Sequence, residues 1–305
     1  MKILLKFFIL NIFLILLSCT HKTSVDFNLE SEDLVYVGDF TSGLEGPAVD
    51  RGGNLYFVNP HRNGAIGRVL AVNDSFEIFI DSLPNGSVAN GIRFDNEGLM
   101  YLADYVGHNI LKINTSTKEI SVFASDSSMN QPNDIAIAGN NIIYASDPDW
   151  ATKTGNIWRI DPEGDVQLLE ENMGTTNGIE VAPGDSILYV SESVQRKIWQ
   201  YKLSPSGVIS NKQLLIEFPD HGLDGMRCDK KGNLYVTRYG KGVVAIVSPK
   251  GDLLHEILLK GRKPSNIAFG GKDGKTCYVT CQDRGYIEQF SALFPGRSWK
   301  LNNHQ

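Results

Sequence analysis

The chain has 305 residues, of which 42% are hydrophobic and 21% charged, and its formal charge is −6. It is too apolar to be a disordered chain, and its body lacks the lysine and arginine clusters that would mark nucleic acid as a partner. The same charge balance provides no general attraction to an anionic lipid surface.

The N-terminal segment reads apart from the rest. Lys2 and Lys6 precede an apolar run from Phe7 to Leu17, interrupted by Asn11 and followed by Ser18-Cys19. A basic start and an apolar stretch too short to span a bilayer make an export signal. Residues 1–18 are therefore expected to be a signal peptide. Leu16-Leu17-Ser18-Cys19 resembles a bacterial lipobox, with Cys19 the lipidated residue and 19–32 a lipidated tether. The protein is expected at the cell envelope, outside the cytoplasm, touching membrane only through that lipid.

From there the chain repeats. Tyr56, Tyr101, Tyr144, Tyr189, Tyr235 and Tyr278 follow one another at intervals of 45, 43, 45, 46 and 43 residues, each inside a short β-rich segment such as Gly53-Asn-Leu-Tyr-Phe or Gly232-Asn-Leu-Tyr-Val. A period of this length, rich in short strands, predicts propeller blades. In the second repeat four strands are legible: Gly91–Asp95, Leu99–Tyr105, Asn109–Asn114 and Ile120–Ala124, with turn residues between them. The fold class is all-β, a six-bladed β-propeller of four-stranded blades over residues 33–305. The last repeat lacks a fourth strand, and Leu34–Phe40 is expected to supply it and close the ring.

Cys228, Cys277 and Cys281 are read as small buried hydrophobes. Two cysteines four apart in one strand lie about 13 Å apart, too far for a disulfide.

In a propeller the first strand of each blade lines the central channel. The residues opening those strands are Glu45, Asn90, Asn133, Asn177, Asp224 and Ser265. Three residues after each tyrosine comes a second set near the same end: Asn59, Asp104, Asp147, Glu192, Arg238 and Cys281. Two carboxylates and several amides aimed into one channel mouth repel and raise each other's pKa unless a cation balances them. Glu45 and Asp224 would supply negative charge to one divalent cation, and Asn133 and Asn177 carbonyl oxygens. Oxygen ligands favour calcium, with magnesium or manganese as alternatives, and the absence of histidine from the ring makes zinc the least expected. Asn90-Gly91 also has the composition of a plain turn.

Five segments in order, Leu44-Glu45-Gly46-Pro47, Pro132-Asn133-Asp134-Ile135, Asn177-Gly178-Ile179, Asp224-Gly225-Met226 and Asn266–Gly271, resemble the signatures of the SMP-30/gluconolactonase/regucalcin-like (LRE) propellers. The resemblance implies one divalent cation on Glu45, Asn177 and Asp224, with Asn133 beside metal and substrate. It also implies a small-molecule substrate and a monomer. Members are chiefly lactonases, and the related diisopropyl fluorophosphatases use a similar site on phosphoesters. One position departs from the pattern: Gln131 stands where some sugar lactonases of this family carry arginine two residues before the substrate asparagine.

The expected activity is metal-dependent hydrolysis of a lactone, the metal polarising the carbonyl. Asp224 and Asn133 are the expected catalytic residues, Asp224 orienting or deprotonating water and Asn133 bonding substrate. Gln131, Asp147, His221, Arg238 and Asn90 are expected in the substrate pocket, with Arg238 or His221 replacing the missing arginine. The alternatives are phosphoester hydrolysis at the same site and a propeller that only binds a ligand or protein. No G-x-S-x-G elbow or phosphate-cradling loop offers another chemistry.

Overall fold

The structure is a computed structural model that describes residues 30–38 and 43–298. The signal segment, Cys19 and all but the last residues of the tether lie outside the described residues, as do 299–305.

A short strand β1 (Glu32–Tyr36) precedes five complete blades. The first is β2 (Glu45–Val49), β3 (Leu55–Val58), β4 (Ile66–Val69) and β5 (Phe76–Ile80). The second is β6 (Ala89–Phe94), β7 (Met100–Asp104), β8 (Asn109–Ile113) and β9 (Ile120–Ser125). The third is β10 (Ile135–Ile137), β11 (Ile143–Asp149), β12 (Thr154–Ile160) and β13 (Val166–Met173). The fourth is β14 (Thr176–Val181), β15 (Ile187–Glu192), β16 (Lys197–Leu203) and β17 (Ile209–Glu217). The fifth is β18 (Met226–Cys228), β19 (Leu234–Arg238), β20 (Val243–Val247) and β21 (Leu253–Leu258).

The sixth blade has three strands of its own, β22 (Pro264–Gly270), β23 (Thr276–Cys281) and β24 (Tyr286–Ser291), and β1 pairs with β24 as its fourth. The ring closes through the N-terminal strand, as the missing fourth strand predicts, although that strand begins two residues earlier and ends earlier than expected. Buried Glu288 latches the closure: it accepts hydrogen bonds from Ser31 Oγ at 2.5 Å, Gly261 N at 2.8 Å and Arg284 Nη1 at 2.8 Å. The Arg284 guanidinium reaches on to Asp33 at 2.7 Å.

The core lies between blades, which explains the period. Tyr56 packs among Ile92, Met100 and Leu102 of the second blade, Tyr101 among Ile135 and Ala145 of the third, and Tyr144 among Ile179 and Val190 of the fourth. Each repeat tyrosine thus seals one inter-blade seam with a large, rigid ring. Cys228, Cys277 and Cys281 are buried and free, as their positions predict.

The innermost strands β2, β6, β10, β14, β18 and β22 touch their neighbours around the channel. Every one opens with a bulge. Register slips by one residue after Glu45, Ala89, Thr176 and Pro264. In the two remaining blades, Asn133 and Asp134 both bond Ser146, and Asp224 and Gly225 both bond Thr237. A bulge bends its strand and re-aims the side chain at its extra residue, and at this end of the channel five of the six opening residues turn toward one place.

Candidate functional site

The residue after each opening residue faces the channel, where space is scarce. Four blades put glycine there. A Cβ on Gly91 would stand 2.6 Å from Asp134 Oδ1, and one on Gly178 2.5 Å from the Asp224 carbonyl oxygen. A Cβ on Gly46 would collide with the Asn90 carbonyl, and one on Gly225 with the Asn266 side chain. The other two blades use the room those glycines leave: Asp134 and Asn266 fill the channel axis.

Above this plug a cavity of about 720 Å³ opens at the mouth of the channel. Glu45, Asn90, Asn133, Asn177 and Asp224 line its floor, as the sequence predicts. Ser265 does not join them. Its hydroxyl turns into the blade seam, bonded to the Leu44 carbonyl at 2.8 Å and Thr280 Oγ1 at 2.7 Å.

The electrostatics of the floor are unbalanced. Glu45 is buried, accepting from the Gly46 N–H at 2.6 Å with the Asn266 amide also close by. Burial pushes its pKa up to about 8, and the nearby Asp134 charge adds to the rise. Asp224 is raised well above the carboxylate range, first by burial and then by Glu45, against a hydrogen bond from the Asn177 amide. Asn133 Oδ1 and Asn177 Oδ1 are buried without a hydrogen-bond donor. Each such orphan costs about 1–3 kcal/mol. Two raised carboxylates and two unsatisfied carbonyl oxygens fit a hard divalent cation, which would satisfy all four. Among the described residues no group of three or more His, Cys, Asp or Glu gathers, so amides must complete any such ligand set.

Beneath the floor the channel is balanced differently. Asp134 Oδ2 meets Arg227 Nη1 at 3.0 Å and Asp134 Oδ1 meets Arg93 Nη2 at 3.1 Å. Arg227 and Arg297 in turn flank Glu180, at 4.0 and 3.6 Å.

Most of the second set ties loops, and of its members Asn59 alone also lines the cavity. Asn59 Nδ2 donates to the carbonyls of Gly43 and Ala89, at 2.8 and 3.0 Å. Asp104 Oδ1 accepts from Val88 N at 3.1 Å, and Glu192 Oε1 from Gly174 N at 2.9 Å. Each bond holds the segment entering an inner strand.

Three expected pocket residues accordingly lie elsewhere. Asp147 is buried behind the wall, accepting from Asn130 N at 3.0 Å, Gln131 N at 2.5 Å and Trp158 Nε1 at 2.8 Å. Arg238 is 1% exposed, stacked 3.9 Å over Phe218 and bonded to Asp220 at 2.9 Å, because a buried guanidinium needs its partners close. His221 sits in a left-handed turn (φ 47°) facing Asp220 at 3.3 Å. Gln131 and Asn90 do line the cavity.

The sequence reading missed Tyr105, Ser193, Tyr239 and Gln282, all lining the cavity. Each directly follows a member of the second set. Alternation along a strand sends neighbours to opposite faces, so where the one residue ties the loop, the next meets the cavity. Asp149, Trp150 and Ala151, at the turn between β11 and β12, complete the rim.

Residues 44–283 match the SMP-30/Gluconolactonase/LRE-like region. The gluconolactonase of Zymomonas mobilis is 29% identical over 272 residues, covering 77% of this chain and 75% of that protein. The 6-deoxy-6-sulfogluconolactonase of Pseudomonas putida is 32% identical over 129 residues, 41% of this chain and 44% of that one. Among solved structures, the calcium-binding protein regucalcin from Agrobacterium tumefaciens superposes with a TM-score of 0.76 at 16% identity, over 89% of this chain and 96% of that one. The chain belongs to the SMP-30/gluconolactonase/LRE-like family of six-bladed propellers.

Proposed function

We propose that the protein is a divalent-cation-dependent hydrolase of lactones. One observation carries the reading: Glu45 and Asp224 are held without an ion-pair partner among the described residues, beside two orphaned amide oxygens, on the floor of an open polar cavity. The lactonase names of the two sequence relatives support the reaction class.

Glu45, Asn133, Asn177 and Asp224 would hold the cation, with calcium the expected ion. When bound it would supply Lewis acidity at the substrate's carbonyl oxygen. The rest falls to the chain itself. The Asp224 carboxylate, on the cavity floor, is placed to take a proton from water. The Asn133 amide can donate to a ring or carbonyl oxygen. Tyr239 lines the cavity with its phenol pushed above its ordinary range, first by burial and then by Asp224, so it stays a hydrogen-bond donor.

The test is hydrolysis of a lactone panel by the propeller lacking Cys19, followed by proton release, with and without chelator and added cation. Cation-dependent turnover lost in Asp224→Ala supports the reading. Folded protein that turns over phosphoesters but no lactone would move the site to the other chemistry. A propeller inert to both is a binding module.

We further propose that Cys19 carries a lipid that holds the propeller at the cell envelope, on the strength of the segment from Lys2 to Cys19. Incorporation of labelled fatty acid should be lost in Cys19→Ala.

A further inference from the structure

We infer that the cavity selects uncharged, hydroxyl-rich lactones over lactones bearing an anionic substituent, and that Asp149 at the rim enforces the choice. The inference rests on the lactonase reading for its substrates and on the cavity wall for its sign.

Among the described residues lining the cavity there is no lysine, arginine or histidine. Each candidate for a pocket cation is accounted for: Gln131 on the wall is a neutral amide, Arg238 is spent on Asp220 and Phe218, and His221 faces Asp220. Against this absence stand three carboxylates, Glu45, Asp149 and Asp224. Once a cation offsets the two on the floor, Asp149 remains as uncompensated charge at the rim. Hydrogen bonds from Thr152 and then Ala151 hold its carboxyl below the usual range, so it is ionised wherever the enzyme works.

A phosphate, sulfonate or carboxylate entering this cavity would lose water and find no guanidinium or ammonium to replace it. A hydroxyl group fares otherwise. Asn63, Asn90 and Gln131 line the cavity with side chains that make no hydrogen bond to another described residue. A free amide both donates and accepts, as a hydroxyl does. Tyr105, Tyr239 and the 43%-exposed Trp150 add flat apolar surface suited to the C–H face of a ring. The pocket is thus built for polyols and built against anions, which is specificity by exclusion.

The experiment compares kcat/KM for glucono-1,5-lactone with that for its 6-phosphate, corrected for spontaneous opening, in the wild-type protein and Asp149→Lys. The neutral lactone should win by at least about tenfold, the scale of one missing charge-assisted hydrogen bond. Asp149→Lys should shift the ratio toward the phosphate by roughly tenfold, since it reverses one charge at the rim. Asp149→Asn, which keeps the side chain's shape, should shift it less in the same direction. Equal or faster turnover of the phosphate, or a ratio unmoved by both variants, overturns the inference and leaves the lactonase reading intact. If neither lactone is hydrolysed, the lactonase reading fails instead. Quenching of Trp150 fluorescence by 1,5-anhydroglucitol and its 6-phosphate then decides the selectivity, with Trp150→Phe as control: tighter binding of the uncharged polyol supports it and tighter binding of the phosphate overturns it.

Discussion

The channel holds two groups of buried charges, one above the other, handled in opposite ways. In the lower group, Asp134 and Glu180 are each flanked by two guanidiniums, drawn from Arg93, Arg227 and Arg297. In the upper, neither Glu45 nor Asp224 has an ion-pair partner among the described residues, Arg227 reaching Glu45 only as a weaker, more distant charge, and Asn133 and Asn177 keep oxygens without donors. Burial is the same problem in both, and the protein solves it internally in only one. A fold can neutralise a carboxylate with arginine, as the lower group of the same channel demonstrates. Leaving the upper pair bare therefore marks it as a place for a charge that comes from outside.

The largest effect expected from breaking the contrast is at Asp224. Asp224→Asn should lower lactone turnover about a thousandfold, the range found when one preorganised charge-stabilising group is removed. It should also abolish cation binding by calorimetry. In the cation-free protein the same change removes a carboxyl that folding forces to keep a proton the unfolded chain has lost, so melting near neutral pH should show it stabilised by about 1–3 kcal/mol. A variant both dead and more stable is the signature of a functional charge. A drop in stability in chelator would show that Asp224 is already paired within the fold.

The lower group predicts the reverse. Arg227→Met removes the one guanidinium that Asp134 and Glu180 share, and breaking a buried pair on one side costs about 3–5 kcal/mol. Denaturant unfolding should detect that loss with and without cation. Arg93 would inherit Asp134 alone. Its pKa, held down to about 10 by burial and then by repulsion from Arg227, should rise when Arg227 is gone.

Acidity separates the two groups further. Glu45 is raised to about 8 in the folded, cation-free protein from an ordinary value of 4.5, so the folded state holds a proton that the unfolded chain has lost. Its contribution to stability is complete below about pH 4.5 and is lost as pH rises toward 8. In chelator, the melting temperature should fall between pH 5 and pH 8. Cation binding must displace the proton, so affinity should rise by about tenfold per pH unit over that window if one proton leaves. A cation affinity flat from pH 6 to 8 would show that Glu45 is not a ligand.

How far these features are legible in the sequence depends on their range. The blades are legible because each tyrosine fills the same seam at the same spacing, so a packing rule is written as a period. Glu45, Asn133, Asn177 and Asp224 are legible because one bulge opens every inner strand. The pocket wall is not, for a reason of one residue: Asp104 and Arg238 sit at strand ends that look like ligand positions, yet Tyr105 and Tyr239 beside them meet the cavity. The pairing of Asp134 with Arg93 and Arg227 is hidden for a different reason. Its members come from three blades, with Arg227 93 residues from Asp134, and nothing local in the chain announces the meeting.

The smallest expected effect belongs to Asp147, where the two readings of the second set divide. As a pocket residue it would touch substrate, and its loss would fall on catalysis. As a tether, it holds the backbone of Asn130 and Gln131, two residues short of Asn133, and steadies the indole of Trp158. Asp147→Asn exchanges one accepting oxygen for an amide nitrogen that faces N–H donors. The wall should loosen by the value of one or two hydrogen bonds, about 1–3 kcal/mol. KM should then rise several-fold while kcat changes less, because Gln131 and Asn130 would no longer hold the wall in place and Asp224 would be untouched. The amide protons of Asn130 and Gln131 should exchange faster in the variant, a change that loss of a substrate contact would not produce. A fall in kcat alone, with exchange at those two amides unaltered, would return Asp147 to the pocket.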